Sequence, residues 1–326
     1  MRSRKLVLAL ALIFTLPWSL NHAAVLTAEQ AQAKTQGMIL YRQKKNAMPY
    51  LKVAAQAGDS EAQYYLAEQI KLDNRYMTSE AHKWYVAAAE QGDYYAMYQL
   101  ATSGNDLCEV MGNCPVGERS ARDWYRLARS TTEQLAEQGD GEAMYMRALM
   151  GGGSSWLERS AEAGYPEAQY RLAMMYKDGE KFYFPPWERG RKIEALLKSA
   201  GESGHRTAMD YYIEVLQKRG EDERVREIVV DMVLQGDANA VSAYGAYLAH
   251  TPEGMGFELD VVKGYGLIST LLELDGGGAM LVYAERKLEA IARKMTSEQL
   301  EQAKVFAVQW KATHPPLSFF RRKLEY

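Results

Sequence analysis

The sequence predicts an all-α fold: an α/α solenoid in which antiparallel helix pairs stack into a right-handed superhelix. Three observations predict it. A glycine followed four residues later by an alanine recurs along the chain, as Gly58/Ala62, Gly92/Ala96, Gly139/Ala143, Gly164/Ala168, Gly204/Ala208 and Gly236/Ala240. A tyrosine follows the alanine by two positions at Tyr64, Tyr98, Tyr145 and Tyr170, and a second alanine by five at Ala67, Ala101, Ala148 and Ala173. Small residues mark the segment before each turn, at Ala54–Ala55, Ala88–Ala89, Ala136, Ala161 and Ala200. Each unit is too small to bury its own apolar face, so stacking must build the core.

The chain opens on Arg2, Arg4 and Lys5, followed by an apolar run from Leu6 to Leu16, Pro17 and small residues near Ala23–Ala24. Residues 1–23 therefore read as a secretory signal peptide, since the run is too short to span a bilayer as an anchor. No cysteine follows it to carry a lipid. The expected location is the periplasm, with no membrane span in the mature form. Removing the leader moves the formal charge from −3 to about −6. Such a chain lacks the basic stripe that nucleic-acid binding needs.

Residues 24–44 are expected to form an N-terminal capping helix, opened by Thr27 with Gln30 three places on, a capping box. The repeat solenoid is assigned to residues 45–312. In each unit the glycine sits where a helix ends and the chain turns, a position that favours left-handed backbone. Asp59, Asp93, Asp140 and Asp237 follow four of the six glycines and are suited to cap the next helix. Alanines let the helices approach, and tyrosines and leucines are expected to fill the gaps between layers.

The glycine intervals are 34, 47, 25, 40 and 32 residues, so insertions must lie in the other loop, between the helices of one repeat. The longest interval holds Cys108 and Cys114, the only cysteines of the chain. Six apart in a Gly- and Pro-flanked loop, and in an oxidising compartment, they read as a local disulfide. The loop-entropy account gives such a ring about 2 kcal/mol. The 25-residue interval has only Gly151–Gly153 as a loop and reads as a clipped unit. The 40-residue interval contains KDGEKFYFPPWERG.

AEAGYPEAQYRLAMMYKDGE, SEAHKWYVAAAEQGD and ARDWYRLAR resemble Sel-one-like repeats, relatives of tetratricopeptide repeats. Ala81, Trp84, Tyr85, Ala88, Ala89 and Gly92 match the second helix of that family, and Ala121, Trp124 and Tyr125 match it again. Met295–Trp310 resembles its terminal helix. The resemblance spans roughly residues 45–312 and is weakest at 206–275. A cysteine-rich branch staples every helix pair; one cysteine pair here does not fit that branch, and its hydrolytic associations do not transfer.

No chemistry stands out. The chain has no nucleophile elbow, no paired-histidine metal motif, no phosphate-cradling loop and no Cys-x-x-Cys. His82, His205, His250 and His314 fall in separate units without metal spacing and read as surface or capping residues. No catalytic residue, cofactor or metal ligand is assigned, and an enzymatic reading has no constellation to rest on. Met97, Met144, Met146, Met174, Met175 and Met209 recur on the first helix of each unit; they fit gap-filling between layers, with an adaptable groove as the alternative.

Phe182, Tyr183, Phe184 and Trp187, set around Pro185 and Pro186, are the candidate partner-contacting residues, since aromatics dominate interface hot spots. Either this loop folds back on its own solenoid or it docks a partner. The tail, residues 313–326, begins with prolines and is aromatic and basic. It reads as a cap over the final repeat, with partner binding as the alternative. The expectation is thus a non-enzymatic, exported, protein-binding module. Resemblance to exported Sel-one-like proteins implies an immunity protein that neutralises a phospholipase-type effector of type VI secretion, a toxic enzyme delivered to the periplasm. An envelope scaffold for polysaccharide export or stress signalling is the second implied role.

Overall fold

Six glycines, Gly58, Gly92, Gly139, Gly164, Gly204 and Gly236, end a helix with φ between 78° and 97°. A side chain there would be crowded by its own backbone, so glycine is strongly favoured. The residue after each of them donates its N–H to the carbonyl five positions back, at 2.9–3.2 Å, which closes the last turn. The next helix then starts on the side chain of that same residue in five units of the six. Asp59, Asp93, Asp140 and Asp237 accept from the N–H groups of Ala62, Ala96, Ala143 and Ala240 at 2.8–2.9 Å. His205 does the same through Nδ1, 3.1 Å from the Ala208 nitrogen. In these units the repeated alanine is the donor that the cap satisfies.

Ala168 is the exception and corrects the equivalence that the repeat implies. It is fully buried like its counterparts, so it keeps their packing role in the core. It does not share their capping role. The residue after Gly164 is Tyr165, which makes no side-chain cap, so no side chain accepts from the Ala168 N–H. The physical reason is reach. A cap needs a short acceptor beside the backbone, whereas the phenol carries its oxygen away, to within 3.2 Å of the Tyr95 hydroxyl. Pro166 supports this helix start instead, by presetting φ in the first turn, where a missing N–H costs nothing.

These turns order the computed structural model, which describes residues 25–103, 106–274 and 278–324. The signal peptide expected at 1–23 lies outside the described residues. Among them, α1 (Ala28–Arg42) and α2 (Met48–Gln56) form a first pair. There follow α3 (Ser60–Asn74) with α4 (Ser79–Glu90), and α5 (Tyr94–Ala101) with α7 (Ala121–Glu137), separated by the short α6 (Leu107–Met111). Next come α8 (Gly141–Arg147) with α9 (Ser154–Glu162), and α10 (Pro166–Asp178) with α11 (Arg189–Glu202). The last units are α12 (Arg206–Lys218) with α13 (Asp222–Leu234), and α14 (Ala238–Leu248) with α15 (Val261–Thr270). Helices α16 (Met280–Ala292) and α17 (Ser297–Thr313) close the array, α17 packing on α15. The fold is an α/α solenoid, as the repeat predicts. The capping box of Thr27 and Gln30 opens α1, but this helix is the first half of a pair rather than a lone cap.

The apolar core runs as two large clusters, one from Met38 to Met150 and one from Leu157 to Ile291. They meet at the clipped unit, where α8 has seven residues and passes into a π-helical turn at Ala148–Gly152. Trp84, Trp124 and Tyr85 are buried, as expected of layer-filling aromatics. So are Met97, Met144, Met146 and Met209. Cys108 and Cys114 form the expected disulfide, with Cα atoms 4.7 Å apart.

The tail departs from expectation in part. It covers the start of the final repeat, as expected, but does not stop there. It turns back across the solenoid and reaches the first repeats. Gln43 donates its side-chain amide to the Leu317 carbonyl (3.0 Å), and the Phe319 N–H donates to the Arg42 carbonyl (3.0 Å). On the other side, the Ser318 N–H donates to the Gly236 carbonyl (2.8 Å), and the Ser318 carbonyl accepts from the Ala238 N–H (3.0 Å). Lys45 adds a bond to the Glu273 carbonyl (2.8 Å). The two ends of the array thus meet. Gly236 is fixed twice over: its φ is +78°, and a Cβ would stand 2.8 Å from the Pro316 carbonyl oxygen.

One carboxylate lies inside the core. Glu68 is 1% exposed and accepts from the Tyr85 hydroxyl and the Gln99 amide, both at 2.7 Å. Burial raises its pKa, although those donors favour the charged form. An acid whose folded pKa is raised contributes stability at low pH that is lost as pH rises from its ordinary value, 4.5, through the folded value. Glu68→Gln keeps an acceptor for both donors and removes the titration. Thermal melts at pH 5 and pH 8 should show the parent chain losing more stability across that interval than the variant; equal losses would refute the assignment.

Candidate protein-binding surfaces

Antiparallel pairing gives the solenoid two rims. The helices that follow a glycine turn begin at one rim, and the loops that join the two helices of a repeat emerge at the other. Helix α10 has 13 residues, so the rims stand about 20 Å apart there. The sequence-selected residues divide between them.

At the loop rim, Phe182, Phe184 and Trp187 are 74%, 76% and 76% exposed. The loop does not fold back on the solenoid. Tyr183 alone turns inward and meets Tyr176 edge-on at 5.3 Å, which anchors the segment. Lys181, beside it, pairs with Glu158 of α9. The disulfide loop emerges at the same rim, over α4, and exposes Val110 and Val116 almost fully. Sequence reasoning did not select these apolar residues. Their signal is weak: single valines in a polar loop.

The glycine rim and the inner face next to it carry the second surface. It encloses a cavity of about 1170 Å³ lined by Tyr65, Tyr95, Tyr98, Tyr145, Tyr165 and Tyr170, with Glu61, Glu142 and Glu167 among them. Three of the repeat tyrosines, at 98, 145 and 170, were expected between layers. They are half-buried and face the cavity instead. Only Tyr64 of the four is fully buried. The Tyr95 hydroxyl donates to Glu142 (2.7 Å) and lies 3.2 Å from that of Tyr165. The tyrosine that leaves Ala168 uncapped is therefore spent on this face. Burial, and then the neighbouring hydroxyl and carboxylate, push the Tyr95 pKa far up, so it stays a neutral donor.

The tail lies against this surface with its cations spread to both sides. Arg322 pairs with Glu167 (3.0 Å) and Lys323 with Asp93 (2.8 Å). Lys323 also stands over the rings of Tyr64 and Tyr95, at 4.6 and 4.7 Å, and Arg321 over Tyr41 at 4.6 Å. In the reverse sense, Arg206 covers Phe320 at 4.0 Å and Lys44 covers Phe319 at 4.7 Å. Fixing backbone costs about 1–2 kcal/mol per residue. Each cation–π or half-exposed ion pair contributes about 1 kcal/mol. The tail is therefore held by many small contacts, none of them decisive.

Among the described residues no group of three or more His, Cys, Asp or Glu side chains is arranged to hold a metal ion. No described helix is long and apolar enough to cross a membrane. No family model matches the sequence, and no curated protein matches it. Among solved structures, the chain is similar to a protective antigen of uropathogenic Escherichia coli that displays an SLR fold, with 21% identity and a TM-score of 0.46. That alignment covers 92% of this chain and 64% of the antigen, so the chain spans a little under two-thirds of its length. A Sel1 repeat protein from Oxalobacter formigenes is similar at 20% identity and a TM-score of 0.36, over 79% of this chain and 97% of that one. Both neighbours are Sel1-type repeat proteins. At these identities the likeness concerns the fold alone.

His205 links the cap to the inner face. It is buried, its ring 4.3 Å from that of Tyr170 and tilted by 37° to it. Burial, and then the positive charge of Arg322, push its pKa down to about 3. A histidine depressed in this way contributes stability above its ordinary value, 6.5, and loses it as pH falls toward 3. His205→Asn preserves a cap acceptor without that titration. Its melting temperature should fall less between pH 7.5 and pH 5 than that of the parent; an identical fall would show that His205 is not the titrating cap.

Proposed function

We propose that this chain is a protein-binding repeat scaffold whose loop rim docks an exported partner protein. The observation that carries the reading is the set of three large aromatics, Phe182, Phe184 and Trp187, each about three-quarters exposed within six residues of one braced loop. Apolar area of this kind is costly in water, and aromatic side chains presented on a rigid support supply most of the energy at protein interfaces.

The partner we favour is a toxic effector enzyme delivered to the periplasm, of the phospholipase type used in type VI secretion, with the chain as its immunity protein. This reading rests on the resemblance of the repeats to exported Sel-one-like proteins, on the leader-like N-terminus and on the acidic balance of the remaining chain. An envelope scaffold for polysaccharide export or stress signalling shares the same scaffold chemistry and separates from it by partner.

The test is capture from a cell-envelope extract by the full chain and by a Phe184→Ala/Trp187→Ala variant. Truncating two hot-spot aromatics costs about 2 kcal/mol or more each. The variant should therefore lose at least tenfold in partner recovery while its melting temperature stays within a few degrees. A large fall in melting temperature would instead make the loop part of the core. Recovery of envelope-assembly proteins without a toxic enzyme would overturn the immunity reading and leave the scaffold.

A further inference from the structure

The inner face has its own ligand chemistry, and the tail displays it. We infer that this face is a second binding site, for an extended polypeptide segment in which aromatic residues precede a cluster of two or three cations. Residues Phe319–Leu324 occupy it in cis. The inference goes beyond the loop rim, which lies at the other ends of the same helices.

Complementarity of charge and of aromatic faces carries the argument. Each tail cation meets a repeat residue rather than solvent: Arg321 the ring of Tyr41, Arg322 the Glu167 carboxylate, and Lys323 both the Asp93 carboxylate and the faces of Tyr64 and Tyr95. The receiving groups recur with the repeat. Carboxylates stand three residues after the turn glycine at Glu61, Glu142 and Glu167, and one residue after it at Asp59, Asp93, Asp140 and Asp237. Tyr98, Tyr145 and Tyr170 recur six residues after it and line the cavity that remains beside the tail. The site is therefore larger than the tail that fills part of it. Backbone bonds fix where the segment enters: Ser318, just before it, bridges Gly236 and Ala238, and the Phe319 N–H donates to the Arg42 carbonyl.

A tethered segment acts at an effective concentration of the order of millimolar. The tail therefore holds the site against any free segment of similar affinity, and a partner must exceed it or contact the solenoid elsewhere first.

The probe is a fluorescent peptide of sequence LSFFRRKLEY, residues 317–326. It is titrated by anisotropy against the full chain and against a chain ending at Ser318, which retains the bonds to Gly236 and Ala238. The shortened chain should bind the peptide at least about tenfold more tightly than the full chain. A peptide with the Arg-Arg-Lys cluster replaced by glutamates should not bind. Asp93→Asn with Glu167→Gln in the shortened chain should weaken binding, with the cap at position 93 preserved. Should the shortened chain fail to fold, a full-length Arg322→Glu/Lys323→Glu variant opens the same site and replaces it. Equal binding by the full and opened chains, or binding that ignores the charge reversal, would overturn the inference. So would a dimer of the full chain that dissolves on truncation, which would assign the face to a second copy. The probe is a short peptide, so its failure leaves the loop-rim reading intact.

Discussion

Everything in this molecule depends on one local constraint, a helix that must end in left-handed backbone and restart at once. Glycine supplies the first half and a short side-chain acceptor, in most units, the second. A cap of this kind contributes about 1 kcal/mol, more than most half-exposed ion pairs. Helix initiation is therefore sufficient reason for aspartate at this position. Yet a cap uses one carboxylate oxygen and leaves the other. Asp59 turns its second oxygen to Lys34 (2.9 Å), Asp93 to Lys323 (2.8 Å) and Asp237 to Arg206 (3.3 Å). A row of caps thus becomes a row of anions without any additional residue. The acidic character of the inner face is a consequence of how the helices begin.

Solenoids are quasi-one-dimensional, because each repeat touches only its neighbours. This chain departs from that rule through its tail. The bond between Gln43 and Leu317 joins residues 274 apart, and Lys45 reaches Glu273 beside it. Contacts of that separation tie the unfolding of the first pair to that of the last. They also place the tail against the first residues of α5, α10, α12 and α14, at Asp93, Glu167, Arg206 and Ala238. Closure and occupancy of the inner face are then the same structural event.

The repeat, its turns, most of its caps and the disulfide were legible in the sequence because each is local: a glycine, an acceptor one place on, an alanine three places further. Ala168 marks the limit of that local reading. Its spacing from Gly164 is the same as elsewhere, but the intervening Tyr165 serves the cavity rather than the helix start. Facing is less local still. The period that marks Tyr98, Tyr145 and Tyr170 does not say whether they point between layers or into the cavity; that depends on how far the superhelix curves. The tail was legible only in part. Its partners, Arg42, Asp93, Glu167 and Gly236, are scattered over the chain, and only the closed array brings them together. The aromatic loop sits between these cases. Its composition raised two fates, folding back or exposure. The single inward ring of Tyr183 leaves the other three rings outside.

The two rims also differ in how freely they vary. Residues at the glycine rim serve the helix starts, so substitution there is penalised by lost caps and strained turns. At the loop rim nothing comparable constrains the chain, and loop length changes stability only slowly. The insertions follow this asymmetry: the 47- and 40-residue intervals both expand at the loop rim, and both bring apolar side chains into water there. An acidic, tyrosine-lined inner face is therefore what the repeat itself generates. Variation is more easily written at the loop rim, where Phe182, Phe184 and Trp187 stand about three-quarters exposed.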